Sequence, residues 1–212
     1  MSDNPTPKIK VCGMADADSI ARVAELQPDF MGFIFYSKSV RYAIGRVSPT
    51  VVRNIVPSIQ KVGVFVNEPV DSIRRTASDY GLSYVQLHGG ESVEMCERIK
   101  GDGLGVVKVF SISSDADFAH VSDFANCADY LLFDTKTPLY GGSGTSFNWS
   151  LIPSVGLPFI ISGGIGTDNI DAAVATGATV VDLNSRFELS PGVKDIGLLQ
   201  SVFERIRGFK RR

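Results

Sequence analysis

Eight short apolar segments, spaced roughly 20–30 residues apart, constrain this chain more than any other feature of its sequence. They are rich in β-branched residues, and most lack the alternation of a strand that exposes one side to solvent. Continuous apolar runs of this length are typical of strands buried on both faces of a parallel sheet. The predicted strands are Ile9–Cys12, Phe30–Phe35, Lys61–Val66, Tyr84–Leu87, Val106–Phe110, Tyr130–Phe133, Phe159–Ile161 and Val180–Leu183.

Helical start signals lie between several of these segments. A serine or asparagine at the N-cap accepts a hydrogen bond from a free backbone N–H group, and proline is favoured at the first helical position. Apolar residues follow these signals at helical spacing. The predicted helix starts are Ser48 before Pro49, Asn67 before Pro69, Ser92 in a helix to Lys100, and the run 167–169 before Gly177.

Strands that alternate with helices predict an α/β fold. Two architectures compete, a closed (β/α)8 barrel of the TIM type and an open doubly wound sheet. The count of eight favours the barrel, and so does the absence of a G-x-G-x-x-G turn after the first strand, which continues as Val11–Met14. We therefore predict one barrel domain over residues 8–212, preceded by a disordered segment at 1–7.

Composition excludes several kinds of partner. The formal net charge of −2 gives no case for a nucleic-acid partner, and no apolar stretch approaches the length of a membrane span. Cys12, Cys96 and Cys127 form neither a disulfide framework nor a zinc motif, which indicates a reducing cytoplasm. The sequence specifies no protein partner.

Polar residues gather where the predicted strands end. In a (β/α)8 barrel the active site lies at the C-terminal ends of the strands, so these residues are expected to face one mouth. The candidates are Cys12, Arg41, His88, Asp134, Gly163, Gly164, Asn184 and Ser185.

The loops after the last two strands indicate a phosphate site. Barrels frequently bind phosphate there, and Gly163-Gly164 would allow backbone N–H groups to approach phosphate oxygens. Asn184-Ser185 would contribute from the next loop, although plain turns are the alternative. A further cluster that includes Gly141 and Gly142 predicts a mobile or closely packed segment over the mouth.

The same ends predict proton-transfer chemistry without a metal or a cofactor. Metal binding would require grouped ligands, but the chain has only two histidines, His88 and His120, and His120 is expected on a helix face. A thiol, a carboxylate and a phosphate site suit the isomerisation of a sugar phosphate.

The sequence resembles one known family at motifs that follow each other along nearly the whole chain. The family's K-x-C-G opening strand, its G-F-x-F…S-x-R-Y segment and its glycine-rich loop all have counterparts. The matching runs are Lys8–Met14, Gly32–Phe35, Ser37–Tyr42, Val62–Asn67, Val85–Gly89, Leu132–Lys136, Tyr140–Gly144, Phe147–Trp149, Ser162–Ile165 and Pro191–Asp195. On these residues the chain is similar to the phosphoribosylanthranilate isomerases.

The resemblance implies an Amadori rearrangement of N-(5-phosphoribosyl)anthranilate in tryptophan biosynthesis. Asp134 stands at the position of the acid that protonates the furanose oxygen, and Cys12 at that of the base that removes the C2 proton. Arg41 stands where an arginine contacts the anthranilate carboxylate. These roles require opposite environments, with desolvation at Asp134 and positive or dipolar help at Cys12.

The sequence departs from the family's pattern at two loops. Arg186 replaces a glycine after the eighth strand, which predicts either a different backbone path or an added charge at the phosphate site. Thr145 stands where a lysine of the glycine-rich loop is common. Neither change affects Cys12, Asp134 or Arg41.

Two rival hypotheses remain. A histidine-pathway aminoaldose isomerase would favour paired aspartates at the ends of strands one and five, where this chain has Cys12 and Val109-Phe110. A catalytically silent barrel that acts as a binding module would bind a ligand without turnover.

Overall fold

Eight parallel strands close into a barrel in the computed structural model, which describes residues 6–136 and 146–209. Each strand pairs with the next along the chain, and β8 closes the barrel against β1. The (β/α)8 prediction is therefore confirmed, and the open sheet is excluded. The strands are β1 Lys8–Val11, β2 Phe30–Ile34, β3 Gln60–Phe65, β4 Tyr84–Leu87, β5 Gly105–Ile112, β6 Tyr130–Thr135, β7 Phe159–Ile161 and β8 Val180–Leu183.

Strand positions agree with the sequence prediction, and strand ends differ by one or two residues in five of the eight. Cys12 lies just beyond β1, although its N–H still donates to the carbonyl of Leu183. β5 and β6 extend further than predicted because they pair with each other as far as Ile112 and Thr135. Asp134 is therefore the second-last residue of β6. Its backbone is fixed by pairing with β5 and does not belong to a loop.

Among the described residues, six α-helices lie outside the barrel: α1 Ala17–Glu25, α2 Pro49–Arg53, α3 Val70–Tyr80, α4 Val93–Gly101, α5 Ile170–Ala175 and α6 Ile196–Gly208. Ser48 and Ser92 cap α2 and α4 as predicted, each accepting a hydrogen bond from an N–H group of the first turn. Asn169 precedes α5 and accepts from the N–H of Gly166, so that predicted start is also confirmed.

The prediction that Asn67 begins a helix is wrong. The cap of α3 is Pro69, and Asn67 adopts a left-handed backbone with φ of 52°. Its side-chain oxygen accepts from the N–H of Gly90, which joins the loop after β3 to the loop after β4. Asparagine tolerates this conformation better than most residues. Asn67 is therefore part of a turn, although asparagine is also typical of helix caps.

Two crossovers contain 3-10 segments instead of α-helices. Between β5 and β6 these are Asp115–Phe118 and Val121–Phe124, and Trp149–Leu151 precedes β7. Asp117 accepts hydrogen bonds from serine N–H groups just before it, and such local bonds favour a turn over a helix. His120, expected on a helix face, is instead the exposed cap of the second segment and contacts Asp123.

The barrel interior changes from apolar to polar along its axis. The part of the barrel away from the mouth is filled by a plug of packed apolar side chains: Phe30, Val62, Val107, Val109, Leu132, Ile160 and Val180. Lys10, Gln86 and Asp182 lie inside as well and are almost fully buried. Because successive strand residues face opposite sides, Lys10 and Cys12 face inward together from β1.

A short antiparallel ribbon follows β8, formed by β9 Glu188–Ser190 and β10 Val193–Lys194. It brings Glu188 and Lys194 back towards the mouth. Within the described residues, no helix combines the length and apolar character that crossing a membrane requires.

Candidate active site

Cys12 lies at the mouth of the barrel, immediately after β1, and only 4% of its surface is exposed. Its sulfur faces the backbone of β2, where a Cβ atom added at Gly32 would lie 2.6 Å from Sγ. A larger residue at position 32 would displace the thiol. Lys10, two residues earlier on β1, faces the barrel interior on the same side of the strand as Cys12.

Asp134 meets His88 and Gly163 at the same mouth. Its Oδ2 lies 3.5 Å from Nε2 of His88, and its Oδ1 accepts a hydrogen bond of 2.8 Å from the N–H of Thr135. Gly163 has φ of +86°, and a Cβ atom there would lie 2.6 Å from Oδ1. Glycine at 163 is therefore required both by backbone conformation and by the approach of the carboxylate.

Burial favours the neutral form of each of these groups, so it raises the pKa of the two acids and lowers that of the imidazole. Desolvation, with a further contribution from Asp182, raises the pKa of Asp134 from 3.8 to about 6. Desolvation also lowers the pKa of His88 to about 4, with help from Lys10, so the imidazole is neutral at pH 7. Burial raises the pKa of Cys12, although Lys10 opposes that rise. Asp134 is desolvated as expected and Cys12 has a positive neighbour, but desolvation is the largest influence on both groups, so their environments are not the opposites that the sequence predicted.

Arg41 is buried and paired with Glu188, and is not the free guanidinium that its predicted role suggested. Its Nε and Nη2 donate to the Glu188 carboxylate at 2.6–3.0 Å. Lys194 donates to the same carboxylate at 2.8 Å and to Oδ1 of Asn184 at 3.0 Å. Burial alone would raise the pKa of Glu188, but its two cationic partners outweigh burial and lower it. Two cations share one carboxylate, so this cluster keeps a surplus positive charge.

The two predicted phosphate loops lie side by side and are joined by Arg186. Gly164, with φ of +65°, follows β7, whereas Asn184 and Ser185 lead from β8 into a 3-10 turn. Arg186 donates from Nη1 to the carbonyl of Gly164 at 3.2 Å, and its Nη2 lies 2.8 Å from Asp168. The arginine that replaces a family glycine therefore bridges the loops. Gly141 and Gly142 lie outside the described residues.

The family model described as N-(5'-phosphoribosyl)anthranilate (PRA) isomerase matches residues 9–205. The chain belongs to the phosphoribosylanthranilate isomerase family. A Parabacteroides distasonis isomerase of this name is 40% identical over 206 residues, which cover 93% of this chain and 92% of that protein. A second, from Phocaeicola vulgatus, is 36% identical and covers 94% of this chain and 97% of its own.

Solved structures of the family agree with the fold. The phosphoribosylanthranilate isomerase of Thermotoga maritima superposes with a TM-score of 0.83 at 33% identity, covering 96% of this chain and all of its own. Another family structure, solved with reduced 1-(o-carboxyphenylamino)-1-deoxyribulose 5-phosphate, has a TM-score of 0.78 at 28% identity. It covers 96% of this chain and the whole of the solved one.

Sequence reasoning missed several charged residues of this candidate site. Lys10 and Asp182 lie inside strands that the apolar pattern predicted, and Glu188 and Lys194 lie in the ribbon after β8. One signal was present, because a lysine two residues before Cys12 must share its face of the strand. The ribbon carried no comparable signal, since its contact with Arg41 spans 147 positions.

Among the described residues, no group of three or more histidine, cysteine, aspartate or glutamate side chains is arranged to hold a metal ion. The chemistry that the described mouth offers is a thiol, a carboxyl group of raised pKa and a cationic cluster.

Proposed function

We propose that this chain isomerises N-(5'-phosphoribosyl)anthranilate to 1-(2-carboxyphenylamino)-1-deoxy-D-ribulose 5-phosphate, a step of tryptophan biosynthesis, by general acid–base catalysis. The observation that carries the proposal is that Cys12 and Asp134 stand at the C-terminal ends of β1 and β6 of one closed barrel, in a member of this family. The substrate is the one named by the family model and by the relatives.

Asp134 acts as the acid. Its pKa of about 6 leaves roughly a tenth of the molecules with a protonated carboxyl at pH 7, against under a thousandth for an ordinary aspartate. The proton passes to the furanose ring oxygen as the bond from that oxygen to C1 breaks. The opened sugar is then a Schiff base between C1 and the anthranilate nitrogen.

Cys12 acts as the base. Its thiolate takes the proton from C2, and the electron pair of that C–H bond forms the C1–C2 double bond while the iminium nitrogen becomes neutral. A proton then adds at C1 as the C2 hydroxyl becomes a ketone, so the product has the same composition as the substrate. Only the thiolate can accept this proton, and burial keeps the thiolate fraction small unless a cation favours it.

The cationic cluster receives the anthranilate carboxylate. Arg41 bonds Glu188 through Nε and Nη2, and its Nη1 makes no hydrogen bond to the described residues. The surplus charge of Arg41 and Lys194 over Glu188 then attracts the planar carboxylate, which suits a guanidinium nitrogen.

The loops joined by Arg186 hold the substrate phosphate. Backbone N–H groups at Gly163, Gly164, Asn184 and Ser185 contribute to this site. The sequence also predicts substrate binding by Gly141 and Gly142, which lie outside the described residues. His88 contacts the substrate next to Asp134, as a neutral imidazole. We propose a cytoplasmic location, which the three free and buried cysteines support. The phosphorylated substrate is the partner proposed.

The test follows the loss of phosphoribosylanthranilate fluorescence with purified wild-type protein in the presence of a chelator. Turnover with formation of the ribulose phosphate product is expected. A folded protein that binds the substrate and does not convert it would contradict the proposal and support the silent barrel. Conversion only of a histidine-pathway aminoaldose would support the other rival.

A further inference from the structure

A buried ion pair lies inside the barrel below the catalytic thiol. Lys10 of β1 and Asp182 of β8 are direct partners in the strand register, and Nζ of Lys10 lies 2.9 Å from Oδ2 of Asp182. The side chains are 0% and 4% exposed. Ser162, which directly follows β7, donates to the same oxygen at 3.4 Å. The other carboxylate oxygen, Oδ1, is buried without a hydrogen-bond partner among the described residues.

Filling the barrel interior with an ion pair is unfavourable in free energy. Removing two charges from water costs several kcal/mol for each ion, and replacing such a pair by neutral residues of similar size is often harmless or stabilising. The unpartnered oxygen of Asp182 adds a further cost. Stability alone therefore does not explain why the interior here is charged when the plug below it is apolar.

The two charges lie next to the two groups whose protonation the reaction requires. Lys10 and Cys12 face inward from one strand, two residues apart, and the charge of Lys10 lowers the pKa of the Cys12 thiol against the effect of burial. The carboxylate of Asp182 interacts with Asp134, whose pKa it raises. The pair thus places a positive charge by the base and a negative charge by the acid.

We propose that the Lys10–Asp182 pair is an electrostatic positioning element, which keeps Cys12 available as a thiolate and Asp134 available as an acid. The inference rests on the roles proposed above for these two residues. The positive charge of Lys10 stabilises the thiolate form of Cys12. The negative charge of Asp182 disfavours the ionised form of Asp134, which must stay protonated until it acts as the acid. Neither Lys10 nor Asp182 needs to touch the substrate for this.

The charges that face the two groups determine the expected directions. Cys12 faces Lys10, Asp182 and Lys194, while Asp134 faces Asp182, Lys10 and His88. Loss of Lys10 raises both pKa values, because it removes a positive charge from near both anions. Loss of the Asp182 charge lowers both. Both variants retain Lys194 and His88, although loss of Lys10 also removes one of the charges that lower the pKa of His88.

The first measurement needs no substrate. The rate at which iodoacetamide alkylates Cys12 is followed by peptide mass spectrometry, since only the thiolate reacts. Lys10→Met should slow this rate at pH 8 by at least about tenfold, and Asp182→Asn should increase it. Lys10→Arg, which keeps the charge, should restore most of the rate. Lys10→Gln is a second neutral variant if Lys10→Met does not fold.

A matched control is the other pair of this kind, Lys108 with Glu91, which is buried to a similar degree with atoms 2.8 Å apart. Lys108→Met removes a buried cation from outside the barrel mouth and should leave Cys12 alkylation unchanged. If Lys108→Met slows alkylation as much as Lys10→Met, general loosening explains both and the proposal is overturned.

The second measurement is the pH profile of kcat/KM. The reaction requires a thiolate and a protonated carboxyl, so both limbs should move to higher pH in Lys10→Met and to lower pH in Asp182→Asn. The proposal would be overturned if the variants were slower while their limbs stayed in place, or if the limbs of Lys10→Met and of Asp182→Asn shifted in the same direction as each other. Wild type without turnover would contradict the proposed function alone, since the alkylation rates would still test the pair.

Discussion

Asp134 shows, at the scale of a residue, how catalysis and stability conflict. A carboxyl whose pKa is raised on folding from 3.8 to about 6 favours the folded state fully when protonated, below about pH 4. This contribution is lost as the pH rises through 6, because the folded protein must then hold a buried anion. The residue proposed as the acid thus destabilises the folded protein at neutral pH.

Asp134→Asn should therefore raise the free energy of unfolding above pH 6, while it removes the acid. The expected gain at pH 7.5 is on the order of 2 kcal/mol, from a shift of about two pKa units. Urea unfolding at pH 7.5 and pH 4 measures it, and the gain should vanish at pH 4. Asp79→Asn, at an exposed position of α3, is the control. An equal gain at both pH values would contradict the account.

His88 should remain neutral well below the pH at which histidines usually ionise. Burial and the nearby Lys10 lower its pKa to about 4. The chain has only two histidines, so His120→Asn gives a protein with a single imidazole to follow by nitrogen NMR. We expect the His88 signals to titrate with a midpoint near 4. A midpoint near 6.5 would contradict the desolvation of His88 and weaken the case for the raised pKa of Asp134 beside it.

At the scale of elements, the sequence predicted the features that depend on neighbouring residues alone, namely strand positions and helix caps. Burial on both faces makes strands read as apolar runs, and Ser48 and Ser92 cap helices because a hydroxyl satisfies a free N–H wherever a helix begins. Strand ends depended on partner strands, which explains why β6 reaches Thr135. Asn67 was misassigned because its hydrogen bond goes to another loop.

The bridge made by Arg186 leads to a prediction about the phosphate loops. Arg186→Gly removes its bonds to Gly164 and Asp168, so the loops lose an ordered connection worth about 1 kcal/mol or less. We expect KM to rise by about two- to fivefold, with little change in kcat. Steady-state kinetics at constant ionic strength measure both.

The control for Arg186 is Arg205→Ala. Arg205 also binds the start of α5, through Thr167 and Asp171, but from α6 on the outside of the barrel. The Arg205→Ala variant should have the KM of the wild type. An unchanged KM in Arg186→Gly would show that the bridge plays no part in binding, whereas a large fall in kcat would place Arg186 closer to the reaction.

At the scale of the whole molecule, closure of the barrel creates the site. Cys12, His88 and Asp134 stand at the ends of three separate strands, and only the closed order from β1 to β8 brings them to one mouth. The strand-end rule therefore located the candidates from sequence, and the resemblance suggested their roles. The charges around them were not predictable, because Lys10–Asp182 and Arg41–Glu188 join residues 172 and 147 positions apart.

The most direct test of the account compares single-turnover rates of Cys12→Ser and Asp134→Asn with wild type, beside Cys96→Ser as a control. Cys96 is a buried cysteine in α4, away from the mouth, so its variant should keep nearly the full rate. The account predicts that each catalytic variant, although folded, is slower by at least about 10²-fold, as expected for loss of a general acid or base. A folded Cys12→Ser or Asp134→Asn protein with a rate close to that of wild type would contradict it.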